Sequence, residues 1–388
     1  MTDRIYLDNN ATTAVDPQVL QVLISVLSGD DGNPSSIHAY GQEATQRLSV
    51  ARRTVARCLG VRPSEVVFTS GGTEALNLLI VGLVPPHADG HIITTEVEHS
   101  AVFQTINHLV TKGASFTHVP VGLSGAPSPD SVEAAIRPDT CLIAIMAVNN
   151  ETGVMGDIDG IAAVAEKHGV ALVVDGVALI GKAPFTIPSG VTGMAFSGHK
   201  FHAPKGIGCA YVKRGTCLAP AVFGGAQESG RRPGTENVAG ICALAKALEV
   251  AYAQLPEATD SMAALRDRFE AFIITNCGNV EVNGTGPRIC NTSNLVFHDV
   301  DGEALLMSLD LEGIAASHGS ACASGALEPS RVLLAMGYDR SRASSSLRFS
   351  LARTTTQKEI DHAVSVITLV VERLRKLRNY SRESSASI

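Results

Sequence analysis

Between about residues 16 and 250 the chain alternates two patterns: short apolar runs rich in β-branched residues, and longer stretches whose apolar positions recur every three or four residues. The runs at 65–69, 91–94, 141–146, 170–174 and 208–212 are nearly uninterrupted and bounded by turn residues, which predicts buried strands. Stretches such as 160–168 carry the helical period, and a longer helix is expected from about 235 to 255, with Pro256 as its stop. Strands that are apolar on both faces and separated by helices imply an α/β architecture, a mostly parallel sheet covered on both sides.

Beyond Pro256 the order changes. A helix around 261–276, strands at 280–283 and 293–297, a helix near 302–309, a Gly/Ser-rich loop, a strand at 346–350 and a final helix from about 357 describe a smaller α+β unit. A chain of 388 residues exceeds one ordinary core, so two domains are expected: 15–256 as the larger, and 1–14 with 257–388 as the smaller. Arg373, Arg375, Lys376 and Arg378 read as the solvated face of the last helix, and 381–388 as a frayed end.

The net charge of −7, with no basic run carrying interleaved aromatics, argues against a nucleic-acid partner. No run of ~18 apolar residues is available to span a bilayer, and the start lacks the apolar segment of a signal peptide, so a cytosolic protein with no membrane partner is expected. The 8 cysteines include no C-x-x-C pair and no Cys/His ligand cluster, which points to a reducing compartment and no structural metal. All but one read as small buried hydrophobes. The exception is Cys322, whose glycine-bounded, small-residue loop at 317–325 would leave a thiol accessible and reactive beside a base or a positive charge.

The remaining chemistry gathers after the predicted strands. Asp175 closes one apolar run, and Lys200 follows in the turn Phe196-Ser197-Gly198-His199-Lys200. An amine that joins an aldehyde and a carboxylate that keeps a pyridine nitrogen protonated are what pyridoxal 5'-phosphate requires. Thr69-Ser70-Gly71-Gly72-Thr73-Glu74-Ala75 passes from a strand into a helix, so backbone N–H groups converge there; Gly72 permits close approach and Thr73 adds a hydroxyl donor. Alone such a segment is more often an ordinary glycine turn, but beside Lys200 and Asp175 it is the expected phosphate cup. His99 could stack on a pyridine ring and relay protons, or be structural. Asn150 could donate to a phenolate oxygen, or simply form a turn. Arg348, inward on a strand, is a costly placement unless its fork binds a carboxylate.

Together with Tyr6-Leu7-Asp8-Asn9-Asn10-Ala11-Thr12-Thr13, Gly32-Asn33-Pro34-Ser35-Ser36, Pro204-Lys205-Gly206, Arg232-Pro233-Gly234-Thr235 and Gly319-Ser320-Ala321-Cys322, these segments resemble the cysteine desulfurases. Those are class V, fold-type I pyridoxal phosphate enzymes, and the likeness runs in the family's order from residue 6 to about 360. The resemblance implies a homodimer in which Lys200 is the Schiff-base lysine and proton shuttle, Asp175 holds the pyridine nitrogen, and His99 stacks on the ring. Gly72, Thr73, Ser197 and His199 would bind the phosphate, joined by Thr235 from the neighbouring subunit. Asn150 would contact cofactor and substrate, and Arg348 the carboxylate of L-cysteine. Cys322 would take the sulfur as a persulfide, release L-alanine, and pass the sulfur to an acceptor such as an iron–sulfur scaffold or a thiolation relay.

Three positions depart from the family's pattern. Ala178 stands where Gln usually meets the cofactor's phenolate oxygen, a loss of about 1 kcal/mol. Pro233 replaces a common Ser, and His202-Ala203-Pro204 a frequent Gly-Pro. A selenocysteine lyase, another class V lyase or aminotransferase, and a weakly active sulfur-transfer scaffold are the alternatives; a transaminase has no need of the thiol at Cys322.

Overall fold

In the computed structural model, which describes residues 4–29, 32–85, 90–319 and 328–386 (side chains to 380), the apolar runs pair into one seven-stranded sheet. Its strands lie in the order Val66–Thr69, Gly208–Val212, Gly193–Ser197, Ala171–Asp175, Thr140–Met146, His91–Thr94, Ser115–His118. Gly208–Val212 runs antiparallel to both neighbours and the remaining pairs are parallel. The predicted α/β sheet is therefore present, with six strands pointing one way. Side chains alternate across it: Ile143 and Ile145 enter the apolar cluster on one face, Leu142 and Ala144 that on the other. Helices cover both faces, Ala39–Leu59 and Val238–Ala253 packed together on the first, Gly72–Leu83 on the second.

Two strands of this sheet escaped the sequence pattern for physical reasons. Ser115–His118 is a half-exposed edge strand, so its composition is polar. Gly193–Ser197 is fully buried but turns its small residues, Gly193 and Ala195, toward the helix Gly72–Leu83, where a Cβ on Gly193 would meet Leu79 Cδ2 at 2.6 Å, while Met194 and Phe196 enter the opposite cluster. Pro256 also behaves differently from expectation. It stops Val238–Ala253 but stands in the first turn of Leu255–Cys277, where its missing N–H costs nothing, and the two helices meet at 71°.

Val280–Val282, Thr292–Phe297 and Ser346–Ser350 form a separate antiparallel sheet. Its core is a second apolar cluster in which the Phe269 and Phe349 rings sit 5.0 Å apart between centroids. The N-terminal strand Ile5–Tyr6 pairs with Ile314–Ala315, and Asp8 bridges to Ser350 before the chain crosses to the large sheet. The final helix, Gln357–Ala386, is not merely solvated on its basic face: Arg375 donates to the carbonyls of Cys277, Gly278, Asn279 and His298 and so caps the end of Leu255–Cys277. Among the cysteines, Cys209 and Cys290 are buried and Cys217 is exposed, against the expectation that all but Cys322 are buried.

Candidate active site

Six co-directional strands bring the turns that follow them to one edge of the sheet, the usual ligand side of an open α/β fold. There a cavity of ≈ 420 Å³ is lined by Gly72, Thr73, His99, Asn150, Asp175, Ser197, His199, Lys200 and Arg348, so nine of the residues predicted from sequence meet in one space. Thr235 does not line it; it lies on an exposed turn of the same chain. Cys322 lies outside the described residues, while Ser317 and Gly319, just before it in sequence, line the cavity. A larger cavity of ≈ 670 Å³ beside the Glu74–Arg232 ion pair holds none of these groups except the helix they adjoin.

Local chemistry fixes each group. Lys200 Nζ donates to the carbonyls of Asn10 at 2.5 Å and Ala11 at 3.0 Å. Burial, reinforced by the Arg348 charge, pushes its amine down to about 8, with Asp175 and Asp8 pulling the other way. Asp175 ends its strand with Oδ1 accepting from Val177 N at 2.9 Å. Burial raises its pKa, offset by that bond and by the charges of His99 and Lys200. His99 caps the helix Ser100–Val110: its Nδ1 accepts from Ala101 N at 3.1 Å, so a neutral ring carries its proton on Nε2. His199 is pushed down to about 4 by burial and the lysines around it, which makes it a neutral hydrogen-bonding group near pH 7.

The cavity suits an anionic, phosphate-bearing ring. The helix Gly72–Leu83 begins at Gly71 with no side-chain cap, leaving its first N–H groups to a ligand. A Cβ on Gly72 would come within 2.6 Å of Val177 Cγ2, so the backbone lies as close to the neighbouring turn as glycine allows. Arg348 holds Asp8 Oδ1 through Nη2 at 2.7 Å and the Asn150 carbonyl through Nη1 at 2.9 Å, while its buried Nε has no partner among the described residues. Among the described residues, Lys182, Lys200 and Arg348 face only Asp8 and Asp175 as carboxylates on the lining, a basic excess. Ala178, also on the wall, offers no hydrogen bond where Gln was expected.

Sequence reasoning assigned no role to Asp8, Asn10, Lys182 or Glu98. Asp8 and Asn10 stand in the segment at 6–13 that carried the family likeness, which was their only signal. Lys182 sits in Gly181-Lys182-Ala183-Pro184, which reads as a surface turn, yet it is 6% exposed. Glu98, beside His99, is buried with Oε1 accepting from Thr95 Oγ1 at 2.8 Å and Oε2 unpartnered, and burial pushes it up to about 8.

The family described as aminotransferase class-V matches residues 5–363. A cysteine desulfurase of Trichormus azollae is 44% identical over 384 residues, 98% of this chain and 96% of its own. The cysteine desulfurase IscS of Dictyoglomus turgidum is 38% identical over 99% of this chain and 98% of its own. Among solved structures, a NifS-like protein superposes with a TM-score of 0.90 at 36% identity, over 96% of this chain and 100% of its own.

Proposed function

The chain belongs to the aminotransferase class-V family, and on that premise we infer that it is a cysteine desulfurase which uses pyridoxal 5'-phosphate to move the sulfur of L-cysteine onto Cys322. The observation that carries this reading is the convergence of Lys200, Asp175, His99 and Arg348 on one cation-rich cavity. In this reading residues 15–256 hold the cofactor, and 1–14 with 257–388 form the smaller domain that supplies Arg348 and Cys322.

Bound pyridoxal phosphate supplies an aldehyde and an electron-accepting ring. The uncapped N-terminus at Gly72, with Thr73, Ser197 and neutral His199, would hold its phosphate, Asp175 its ring nitrogen, and Lys200 its aldehyde. Thr235 would reach the phosphate of the partner subunit, which makes a homodimer part of the site. Arg348 receives the carboxylate of L-cysteine: Asp8 and the Asn150 carbonyl fix the guanidinium plane in advance, and Nε is left for the ligand. Lys200, released as a free amine, takes the α-proton; an amine brought down to about 8 is suited to give and take protons near neutral pH. His99 has only Nε2 for any relay, since Nδ1 is engaged. The Cys322 thiolate then attacks the substrate sulfur; the S–S bond forms as the Cβ–S bond breaks, and L-cysteine and a thiol become L-alanine and a persulfide. A cytosolic acceptor of the iron–sulfur or thiolation kind would consume that sulfur.

Purified protein given pyridoxal phosphate should turn yellow, and L-cysteine should then yield alanine together with sulfide under reducing conditions. Lys200→Ala should lose the colour. Cys322→Ser should keep the colour and lose sulfide release; undiminished sulfide removes Cys322 from the mechanism, and a wild type that takes up no cofactor overturns the assignment.

A further inference from the structure

Lys182 is left over by this account. It is 6% exposed, lies on the wall of the same cavity, and burying an amine is costly unless a counter-charge meets it. Among the described residues none does: its Nζ donates to the neutral Asn10 Oδ1 at 3.2 Å, and its own carbonyl is closed off by Cys290 Sγ and Thr259 Oγ1, each at 3.2 Å. The charged and titratable groups facing it are Lys200, Arg348 and Cys290, with His199 and His202 within reach of its charge. No carboxylate of the described residues is among them.

Its neighbours place it beside the substrate clamp. Asn10 Nδ2 donates to the Asn150 carbonyl at 3.1 Å, and Arg348 Nη1 donates to that same carbonyl at 2.9 Å. Lys182 and Arg348 therefore hang from one acceptor, Lys182 by way of Asn10. Lysine has donors only, so it obliges Asn10 to turn Oδ1 toward it and Nδ2 toward Asn150; Asn291 Nδ2, donating to the same Oδ1 at 3.1 Å, fixes that orientation. Asp8 is the acid of this corner, and it is taken by Arg348. The basic groups Lys182, Lys200 and Arg348 outnumber this one acid, and among the described residues the buried Arg348 Nε has no acceptor.

We propose that Lys182 is a second carboxylate-reading residue of the active site, which with Arg348 selects ligands bearing a carboxylate and takes up a proton as that carboxylate enters. The proposal rests on Arg348 being the substrate clamp. Burial first, then the charges of Lys200 and Arg348, bring the Lys182 amine down to about 7. An arriving anion stabilises the charged amine, so above that pH binding and protonation are coupled, and carboxylate affinity falls as pH rises.

The test is calorimetric titration of the cofactor-loaded protein with 3-mercaptopropionate, which has the carboxylate and thiol of the substrate but no amine. It is run at pH 8 in two buffers of different ionisation enthalpy. Wild type should take up about one proton per ligand bound. Lys182→Met should bind about tenfold more weakly with no uptake, and Lys182→Arg should recover affinity, again with no uptake, because guanidinium is already charged. Unchanged affinity and proton count in Lys182→Met overturn the proposal. Should that variant not fold, the wild type decides alone: zero proton uptake at pH 8 is equally fatal. A wild type that binds with proton uptake yet releases no sulfide from L-cysteine refutes the desulfurase reading instead.

Discussion

Ala178 lies three positions beyond Asp175 on the cavity wall, and its methyl group cannot donate to a ring oxygen. Ala178→Gln should therefore tighten pyridoxal phosphate about fivefold, the worth of a hydrogen bond of about 1 kcal/mol, read as Kd in a fluorescence titration of the apoprotein. An unchanged Kd would mean that this side chain does not face the ring oxygen. Residues whose meaning is local were legible in the sequence: Asp175 closes an apolar strand run, Lys200 stands in the turn Ser197-Gly198-His199-Lys200, and His99 follows the strand His91–Thr94 directly. Lys182 and Asp8 were not, because what gives them meaning is a neighbour far away in the chain. Asp8 meets Arg348 across 340 positions and Lys182 meets Asn10 across 172, and no periodicity encodes such pairs.

Between elements, one buried ion pair ties the strand that leads to the phosphate cup to the turn that leads to Thr235. Arg52 grips Glu228 through two bonds of 2.8 and 2.6 Å, lies over the Phe68 ring, and the same carboxylate accepts from Phe68 N at 3.0 Å. Glu228 and Ser229 adopt left-handed backbone angles, φ 49° and 60°, a conformation that needs such anchoring in residues with a Cβ. Arg52→Met should lower stability by about 3 kcal/mol, since the Glu228 side chain, only 2% exposed, is left charged and unpaired. Urea unfolding measures it, and a loss below about 1 kcal/mol would show that the carboxylate finds water instead. At this scale the sequence misled where composition answered to packing. Gly193–Ser197 lacks the unbroken apolar run of the other buried strands because Leu79 leaves no room for a side chain at Gly193, and Pro256 looked like an end when it is also a beginning.

For the whole molecule, the site exists only when three distant parts of the chain are assembled, the N-terminal segment at Asp8 and Asn10, the large sheet's edge, and the Arg348 strand. Its buried ionisable groups therefore enter global stability. Glu98 is the clearest case, being wholly enclosed, hydrogen-bonded through Oε1 alone, and pushed by burial up to about 8 from the ordinary carboxylate range. The folded state favours its neutral form, whereas the unfolded chain ionises near pH 4.5. Between those limits the folded state holds the extra proton, so Glu98's contribution is full at low pH and drains away as pH rises toward about 8. Glu98→Gln keeps an oxygen for Thr95 and has no proton to lose. Tm values of the two apoproteins should thus agree near pH 5 and separate steadily toward pH 8, the Gln variant becoming the more stable. Curves that run parallel across that range would mean Glu98 ionises alike in both states, and that the interior behind His99 is wetter than its packing implies.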